Sequence, residues 1–479
     1  MAKTITVIGG GPGGYVAAIR GAQLGADVTL IENHKIGGTC LNYGCIPTKA
    51  FYKSAEVLEN LSIADQFGLD VADFNLNVEK LQKHKNGVVE ELTSGIEKIL
   101  IANGVTIIKG TASFESDKTV SVKKDDKQVI EIESDYFILA TGSKVFVPQI
   151  EGIDSKRLVT SKELLDFDRL PEKLVVLGGG VVAMEFASIF NAFGSDVTVV
   201  ARSSVLKGFD KDVVKRVSAY LKKKGIKILT NTNLLKLSDE DTYTGVHISG
   251  KKGASVLNAD LVLSAMGRKP NTEGLSLDKA GIEITGSAIA VDDHYKTSNS
   301  RVYAIGDVNG KYMLAHAASH QGVHVVEGIM ALETMPGGQE GSVGTDKMNI
   351  VPSCVFISPE MASVGVNEDE ATEKGLEIKV SKFPFSANGK AMTMNHTEGF
   401  VKLTALSDGQ LIGAQIVGAH ASDLIHELTI AIAHGLKDTD VTTTIHAHPT
   451  LSESVSEAAY GLLDGALHMA PVKRRKDKK

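Results

Sequence analysis

Cys40 and Cys45 carry the most reactive chemistry in this sequence, because two thiols on one short segment can cycle between dithiol and disulfide. They sit in Gly37-Gly38-Thr39-Cys40-Leu41-Asn42-Tyr43-Gly44-Cys45-Ile46-Pro47-Thr48-Lys49. A zinc knuckle needs two closely spaced ligand pairs, and here there is one, so no metal site is expected. An ideal helix separates positions i and i+5 by roughly 7.5 Å along its axis. A disulfide wants Cα atoms roughly 4.4–6.8 Å apart, so bridging these two requires a distorted turn. Gly44 supplies the freedom for it, and a helix start nearby favours thiolate over thiol. Taking protons from a dithiol calls for a base that titrates near neutrality. His446-Ala447-His448-Pro449-Thr450-Leu451-Ser452-Glu453 offers an imidazole with a carboxylate five residues on, able to orient the ring.

Electrons leaving two sulfurs need a carrier, and the glycines say where carriers bind. Residues 3 to 32 read as a βαβ unit. The apolar strand with Ile5, Val7 and Ile8 runs into Gly9-Gly10-Gly11-Pro12-Gly13-Gly14, then a helix-period stretch, then a strand ending at Glu32. Gly9, Gly11 and Gly14 stand at the G-x-G-x-x-G positions. There glycine permits a tight turn and close approach of a pyrophosphate, and the terminal acid accepts ribose hydroxyls. A second turn spans Gly178-Gly179-Gly180-Val181-Val182-Ala183, with Ala183 as the small residue at the third position and Glu185 in the helix behind it. Its closing strand ends in Ala201-Arg202-Ser203-Ser204, with Lys207 close behind, where an NAD site ends in an acid. A guanidinium grips a 2′-phosphate that an acid would repel, so Arg202 pushes the expectation toward NADP, or toward use of either coenzyme.

The elements that position these groups must come from several folding units, since 479 residues exceed one hydrophobic core. The chain is 43% apolar and 23% charged, which excludes disordered and fibrous classes, and no apolar run reaches the roughly 18 residues of a membrane span. With 51 basic against 58 acidic residues, there is no surplus to neutralise nucleic-acid phosphates. Three cysteines make no secreted disulfide scaffold, and the start reads as a strand, so the expected location is the cytoplasm.

The cysteine segment resembles the redox motif of the two-cysteine pyridine-nucleotide–disulfide oxidoreductases, with Tyr43 replacing a smaller aliphatic residue, and the resemblance runs to about residue 466. It implies an α/β fold of glutathione-reductase type, with two Rossmann-like dinucleotide-binding domains and an α+β dimerisation domain. The implied boundaries are 1–146 for FAD, 147–270 for NAD(P), 271–348 completing the flavin side, and 349–479 for the interface. An antiparallel excursion is expected near 105–135 and an interface helix near 423–436.

The resemblance also implies roles. Cys40 is the interchange thiol, Cys45 lies against the flavin, and Lys49 pairs with Glu185; a buried lysine needs such a partner. One FAD per subunit is held by Gly9, Gly11, Gly14, Glu32, Lys49, Thr141, Gly142, Ser143 and Asp307, with Met313, Leu314, Ala315 and His316 following under the ring. The nicotinamide coenzyme is held by Gly178, Gly180, Ala183, Glu185, Arg202 and Gly267. His448, aided by Glu453, is the base and serves the partner subunit's Cys40, so a homodimer is implied, while His446 reads as structural.

No cysteine follows Cys354, which disfavours members with an additional C-terminal pair. HAHPTLSE and Ser386-Ala387-Asn388-Gly389-Lys390-Ala391 resemble the corresponding segments of the lipoamide-type members, which implies protein-bound dihydrolipoamide as the dithiol, presented by lipoyl domains of 2-oxo acid dehydrogenase or glycine-cleavage-type complexes. A glutathione-type disulfide reductase is the alternative, and a non-catalytic flavoprotein subunit the remote one. The tail Pro471–Lys479, with six basic residues in its last seven, reads as a solvated end able to touch an acidic partner.

Overall fold

The computed structural model describes residues 2–331 and 348–470, so the basic tail lies outside the described residues. The chain folds as two compact units. One comprises 1–54, 63–170 and 262–348; the other comprises 55–62, 171–261 and 349–479.

The first unit is built on five parallel strands in the order Val302–Ala304, Tyr136–Leu139, Thr4–Ile8, Asp27–Glu32, Thr106–Lys109. The inner strands Thr4–Ile8 and Tyr136–Leu139 are covered on both faces, which is why they read as largely apolar runs, while the edge strand Thr106–Lys109 is more exposed. Ile5, Val7, Val28, Leu30 and Ile138 fill one core, while Ile8, Ile31, Phe137, Leu139 and Val302 fill the other with Phe114 and Val120. The edge strand Val302–Ala304 arrives from far along the chain, which carries Asp307 to the same end of the sheet as the first glycine turn. Behind that turn, helix Pro12–Gln23 packs on helix Ala315–Ala331 through small residues. A Cβ on Gly322 would stand 2.7 Å from the Gly13 carbonyl oxygen, so the two backbones touch where side chains would separate them. A three-stranded antiparallel sheet, Thr111–Phe114, Thr119–Lys123 and Val129–Glu133, forms the excursion.

The second unit holds the parallel strands Lys173–Leu177, Asp196–Val200 and Lys227–Leu229 with helix Val181–Phe193, whose residues are largely buried. An antiparallel sheet spans 233–259. Its C-terminal part is a five-stranded antiparallel sheet in the order Ser353–Val355, Met361–Gly365, Leu411–Val417, Phe400–Leu406, Ile378–Pro384. Helices Ala421–Ala433 and Glu453–Tyr460 cover it through Ile425, Leu428, Val455 and Ala458. Parallel sheets with glycine turns plus an α+β sheet make the α/β architecture expected from the sequence. Among the described residues no helix is long and apolar enough to cross a membrane, and no group of three or more His, Cys, Asp or Glu side chains is arranged to hold a metal.

Candidate active site

The two cysteines lie on separate helices. Cys40 is in the short helix Gly38–Tyr43, and Cys45 opens the long helix Cys45–Ser62. The break falls at Gly44, whose φ of −137° and ψ of −111° leave helical space. A Cβ there would stand 3.0 Å from the Thr39 carbonyl oxygen. This junction brings the sulfurs into hydrogen-bonding contact, which a continuous helix prevents. The hydrogen bond to Cys45 pushes the Cys40 thiol well up, burial and the Cys45 charge add to it, and Lys49 opposes them. Cys40 therefore keeps its proton and donates it to Cys45. Cys45 is exposed at a helix N-terminus, where the helix dipole favours a thiolate. Tyr43 points its ring elsewhere: it stacks on His34 with centroids 5.5 Å apart, the Lys162 ammonium lies 4.9 Å from its centroid, and its hydroxyl is buried.

The turn beside this pair fits a dinucleotide. Gly9 has φ +107°, and a Cβ on it would meet the Ala140 carbonyl oxygen at 2.4 Å; one on Gly14 would meet the Gly9 carbonyl oxygen at 1.8 Å. At Gly11 nothing lies within 4 Å of the Cβ position, so the space before the helix N-terminus is open to a ligand. Glu32 is held in place by the amides of Gly10 and His34, each 2.7 Å from one of its oxygens.

Thr141, Gly142 and Ser143 follow the strand Tyr136–Leu139. The Thr141 hydroxyl donates to the Asn271 carbonyl at 2.7 Å, and Gly142 takes φ +69°. Ser143 Oγ donates to Asp307 Oδ2 at 2.5 Å. It accepts from Arg268 Nε at 2.6 Å, and Arg268 Nη2 also donates to the Ser143 carbonyl at 2.7 Å. Burial lowers the Arg268 pKa, against the charges of Asp307 and Cys45, so Arg268 ties the polar strand end electrostatically to the sulfur pair. Sequence reasoning placed Gly267 at the coenzyme but passed over Arg268. A guanidinium in a loop has no spacing rule, and only the fold pairs strand Arg268–Pro270 with Ser143–Val145. Gly267, at φ +123°, accepts the Phe146 amide at 2.9 Å. Met313 and Leu314 precede helix Ala315–Ala331, with His316 exposed in its first turn.

In the second unit, Gly178 (φ +125°), Gly180 and Ala183 form the other turn, at the start of helix Val181–Phe193. Glu185 on that helix is buried and accepts the Phe356 amide at 3.0 Å. Arg202, Ser203, Ser204 and Lys207 are all exposed beyond the strand Asp196–Val200.

Near the C-terminus, His448 Nδ1 lies 2.9 Å from Glu453 Oε1, and Glu453 Oε2 accepts the Thr450 amide at 2.8 Å. A carboxylate only accepts, so Nδ1 carries the hydrogen and Nε2 is left to take a proton. Burial works to raise the Glu453 pKa, but the Thr450 amide, the His448 hydrogen bond and the charges of His448 and His468 outweigh it and hold the carboxyl below its usual range. The His448–Pro449 peptide is cis. His446 is bonded at both ring nitrogens, Nδ1 to the Thr444 carbonyl at 3.0 Å and Nε2 to Glu427 at 2.8 Å, which leaves no nitrogen for catalysis.

A family model described as pyridine nucleotide-disulphide oxidoreductase matches residues 3–322, and the dimerisation domain of the same description matches 351–459. The chain is 40% identical to a dihydrolipoyl dehydrogenase of Staphylococcus aureus, over 96% of this chain and 97% of the relative. It is 41% identical to one of Haloferax volcanii, over 97% of each. Among solved structures, LpdA of Mycobacterium tuberculosis matches with TM-score 0.88 and 27% identity, covering 96% of this chain and 100% of that one. The HOCl-induced flavoprotein disulfide reductase RclA of Escherichia coli matches at TM-score 0.83 and 29% identity, over 95% and 99% of the two chains.

Proposed function

The chain belongs to the pyridine nucleotide-disulphide oxidoreductase family, and we propose that it is an enzyme that reoxidises protein-bound dihydrolipoamide to lipoamide with NAD(P)⁺, as a dihydrolipoyl dehydrogenase. The observation that carries this reading is the hydrogen-bonded Cys40–Cys45 pair set at a helix break beside a dinucleotide turn. The names of the curated relatives favour the dihydrolipoyl substrate over glutathione disulfide.

The residues fit one FAD per subunit, which Gly9, Gly11, Gly14, Glu32, Lys49, Thr141, Gly142, Ser143 and Asp307 would hold together with Met313, Leu314, Ala315 and His316, with Arg268 bracing Ser143. When bound, FAD supplies two-electron transfer between the sulfur pair and the nicotinamide. Gly178, Gly180, Ala183, Glu185, Arg202 and Gly267 serve the nicotinamide coenzyme, and Glu185 is the carboxylate partner assigned to Lys49. The division into 1–146, 147–270, 271–348 and 349–479 assigns these parts.

The protein's own steps are proton and sulfur chemistry. His448 Nε2 takes a proton from the substrate dithiol, while Glu453 holds Nδ1 and stabilises the charged ring. The substrate thiolate attacks Cys40 Sγ of the Cys40–Cys45 disulfide, the sulfur–sulfur bond breaks, and Cys45 leaves as thiolate. The second substrate thiol then attacks the substrate sulfur of the mixed disulfide, releasing cyclic lipoamide; Cys40 departs with the proton that His448 first took, and the second thiol's proton passes to the vacated Nε2 and is released to solvent. The products on the protein are a Cys40 thiol donating to a Cys45 thiolate, the protonation pattern that the geometry favours. The base acts on the partner subunit's Cys40, so the working unit is a homodimer, consistent with the dimerisation domain at 351–459. Lipoyl domains of 2-oxo acid dehydrogenase or glycine-cleavage-type complexes present the substrate, and a cytoplasmic setting keeps the thiols cycling. The test is an initial-rate assay of the purified holoenzyme with dihydrolipoamide and with glutathione disulfide. Fast coenzyme reduction by dihydrolipoamide and negligible turnover of glutathione disulfide are expected; the reverse ranking would overturn the assignment.

A further inference from the structure

Helix Glu453–Tyr460 carries two carboxylates one turn apart, and each holds a histidine in the same way. Glu453 Oε1 takes His448 Nδ1 at 2.9 Å while Oε2 accepts the Thr450 amide at 2.8 Å. Glu457 Oε1 takes His468 Nδ1 at 2.7 Å while Oε2 accepts the backbone amide of His468 itself at 3.1 Å. The second pair forms because the chain reverses after the helix. Gly465, at φ +130°, donates its amide to the Tyr460 carbonyl at 3.2 Å, and the return brings His468 back to Glu457. The proposed reaction uses the first dyad and leaves the second without a task.

The second carboxylate is the more sheltered of the two, since the Glu457 side chain is 10% exposed against 30% for Glu453. A carboxylate so sheltered needs a cation against it. The Glu457 hydrogen bond and charge, joined by the charge of Glu453, raise the His468 pKa over the opposing effect of burial. Against the burial of Glu453, the His468 charge joins the Thr450 amide and His448 in holding that carboxyl down, so the two dyads are coupled. On the strands packed against this helix, Lys382 pairs with Asp212 and Lys402 with Asp210. On the neighbouring helix Asp438–Thr443, Asp438 accepts the Thr439 amide and Asp440 the Lys437 amide. Tyr460 donates to the Thr442 carbonyl, and His446 is bonded to Glu427. Two carboxylates and two imidazoles thus form one electrostatic group. With His468 charged, Glu457 is neutralised and a single carboxylate draws a proton toward the His448 ring; with His468 gone, two would.

We propose that His468 is a positioning residue for the base: held on Glu457, it keeps a positive charge beside the Glu453–His448 dyad, so that one uncompensated carboxylate, not two, acts on the His448 ring. This rests on the reading of His448 as the base and adds the group that sets the pH at which it can act. A base must be unprotonated to accept a proton, so that pH bears on turnover. His468→Gln removes the positive charge and leaves Glu457 bare. Both changes favour the charged His448 ring, so the acid limb of the kcat/KM profile for dihydrolipoamide should move to higher pH, by about half a unit. The shift should shrink as salt rises, because both rings are exposed. His468→Lys keeps the charge and should leave the limb where the parent has it, whereas a role confined to packing would be lost in both variants. Deuterium exchange at the imidazole Cε1 of His448, followed across pH on the holoenzyme by tandem mass spectrometry, gives a readout without turnover. Its midpoint should move with the limb in His468→Gln and stay in His468→Lys. An exchange midpoint unmoved in His468→Gln, or moved as far in His468→Lys, would overturn the inference. The two readings fail separately. A midpoint that moves in His468→Gln under an acid limb that stays put would keep the inference and sink His448 as the base. A limb that coincides with the His448 midpoint in every variant, while neither moves in His468→Gln, would keep the base and sink the inference.

Discussion

At the scale of single residues the proposed chemistry needs an asymmetric pair of sulfurs and an oriented base. The asymmetry comes from position: Cys40 donates and is part-buried, while Cys45 sits exposed at a helix start. The base owes its orientation to Glu453, whose carboxyl is held below its ordinary range, so its contribution follows a definite sign with pH. A carboxyl lowered on folding stabilises the fold above its unfolded pKa, and that stabilisation fades as pH falls through the folded value. The melting temperature of the parent should therefore exceed that of Glu453→Ala at neutral pH, and the gap should close as the medium is taken acid of the carboxylate range. A gap independent of pH would contradict the ion-paired dyad. The same variant should lose about 10–100-fold in kcat/KM, the equivalent of one charge-assisted hydrogen bond, with flavin content unchanged.

At the scale of elements the two glycine turns were legible in the sequence because their constraints are steric and local. A Cβ at Gly9 or Gly14 strikes backbone, whatever the rest of the protein does. Gly11 differs, since its Cβ position is open. Gly14→Ala should thus disrupt the turn itself and yield little folded protein. Gly11→Ala should fold with an unchanged far-ultraviolet spectrum yet retain little flavin, seen as a lost visible absorbance; full flavin retention would show that the open space is not the pyrophosphate path. Arg268, by contrast, was not legible as a site residue, because its partners Ser143 and Asp307 are remote along the chain and only the fold brings them together.

Lys402 was not legible for the same reason. It lies on strand Phe400–Leu406, 2% exposed, with Asp210 at 2.8 Å, Asp212 at 3.3 Å and Glu368 at 2.6 Å. Burial pulls its pKa down, but the hydrogen bonds and charges of Asp210 and Glu368 overcome this and push it well up. Removing one partner strands the others, so Lys402→Met should cost about 3–5 kcal/mol of unfolding free energy, and adding Asp210→Asn should recover part of that loss. Additive destabilisation by the two changes would mean that they do not act as one buried network.

At the scale of the whole molecule the two βαβ units could be read from apolar runs and glycine spacing, whereas the α+β end was expected only from the family resemblance. The packing of Gly13 on Gly322 and the closure of the first sheet by Val302–Ala304 could not be read, because both join segments remote in sequence. The shared active site belongs to this scale, since each proposed site takes its sulfurs from one subunit and its base from the other. Mixing Cys45→Ser chains with His448→Ala chains under subunit exchange should therefore restore about a quarter of the activity, as half the dimers are hybrids with one intact site. If the base served its own chain, the hybrids would stay dead.

Cys40 and Cys45, as the pair that accepts electrons from the dithiol, can be followed by differential alkylation. Anaerobic holoenzyme is treated either with dihydrolipoamide or with excess oxidised coenzyme, denatured in acid, alkylated, digested and read by mass spectrometry, with Cys354 as the internal reference. Cys40 and Cys45 should both be labelled after dihydrolipoamide and neither after the coenzyme, while Cys354 should be labelled in both. Equal labelling of Cys40 and Cys45 under the two conditions would contradict that role.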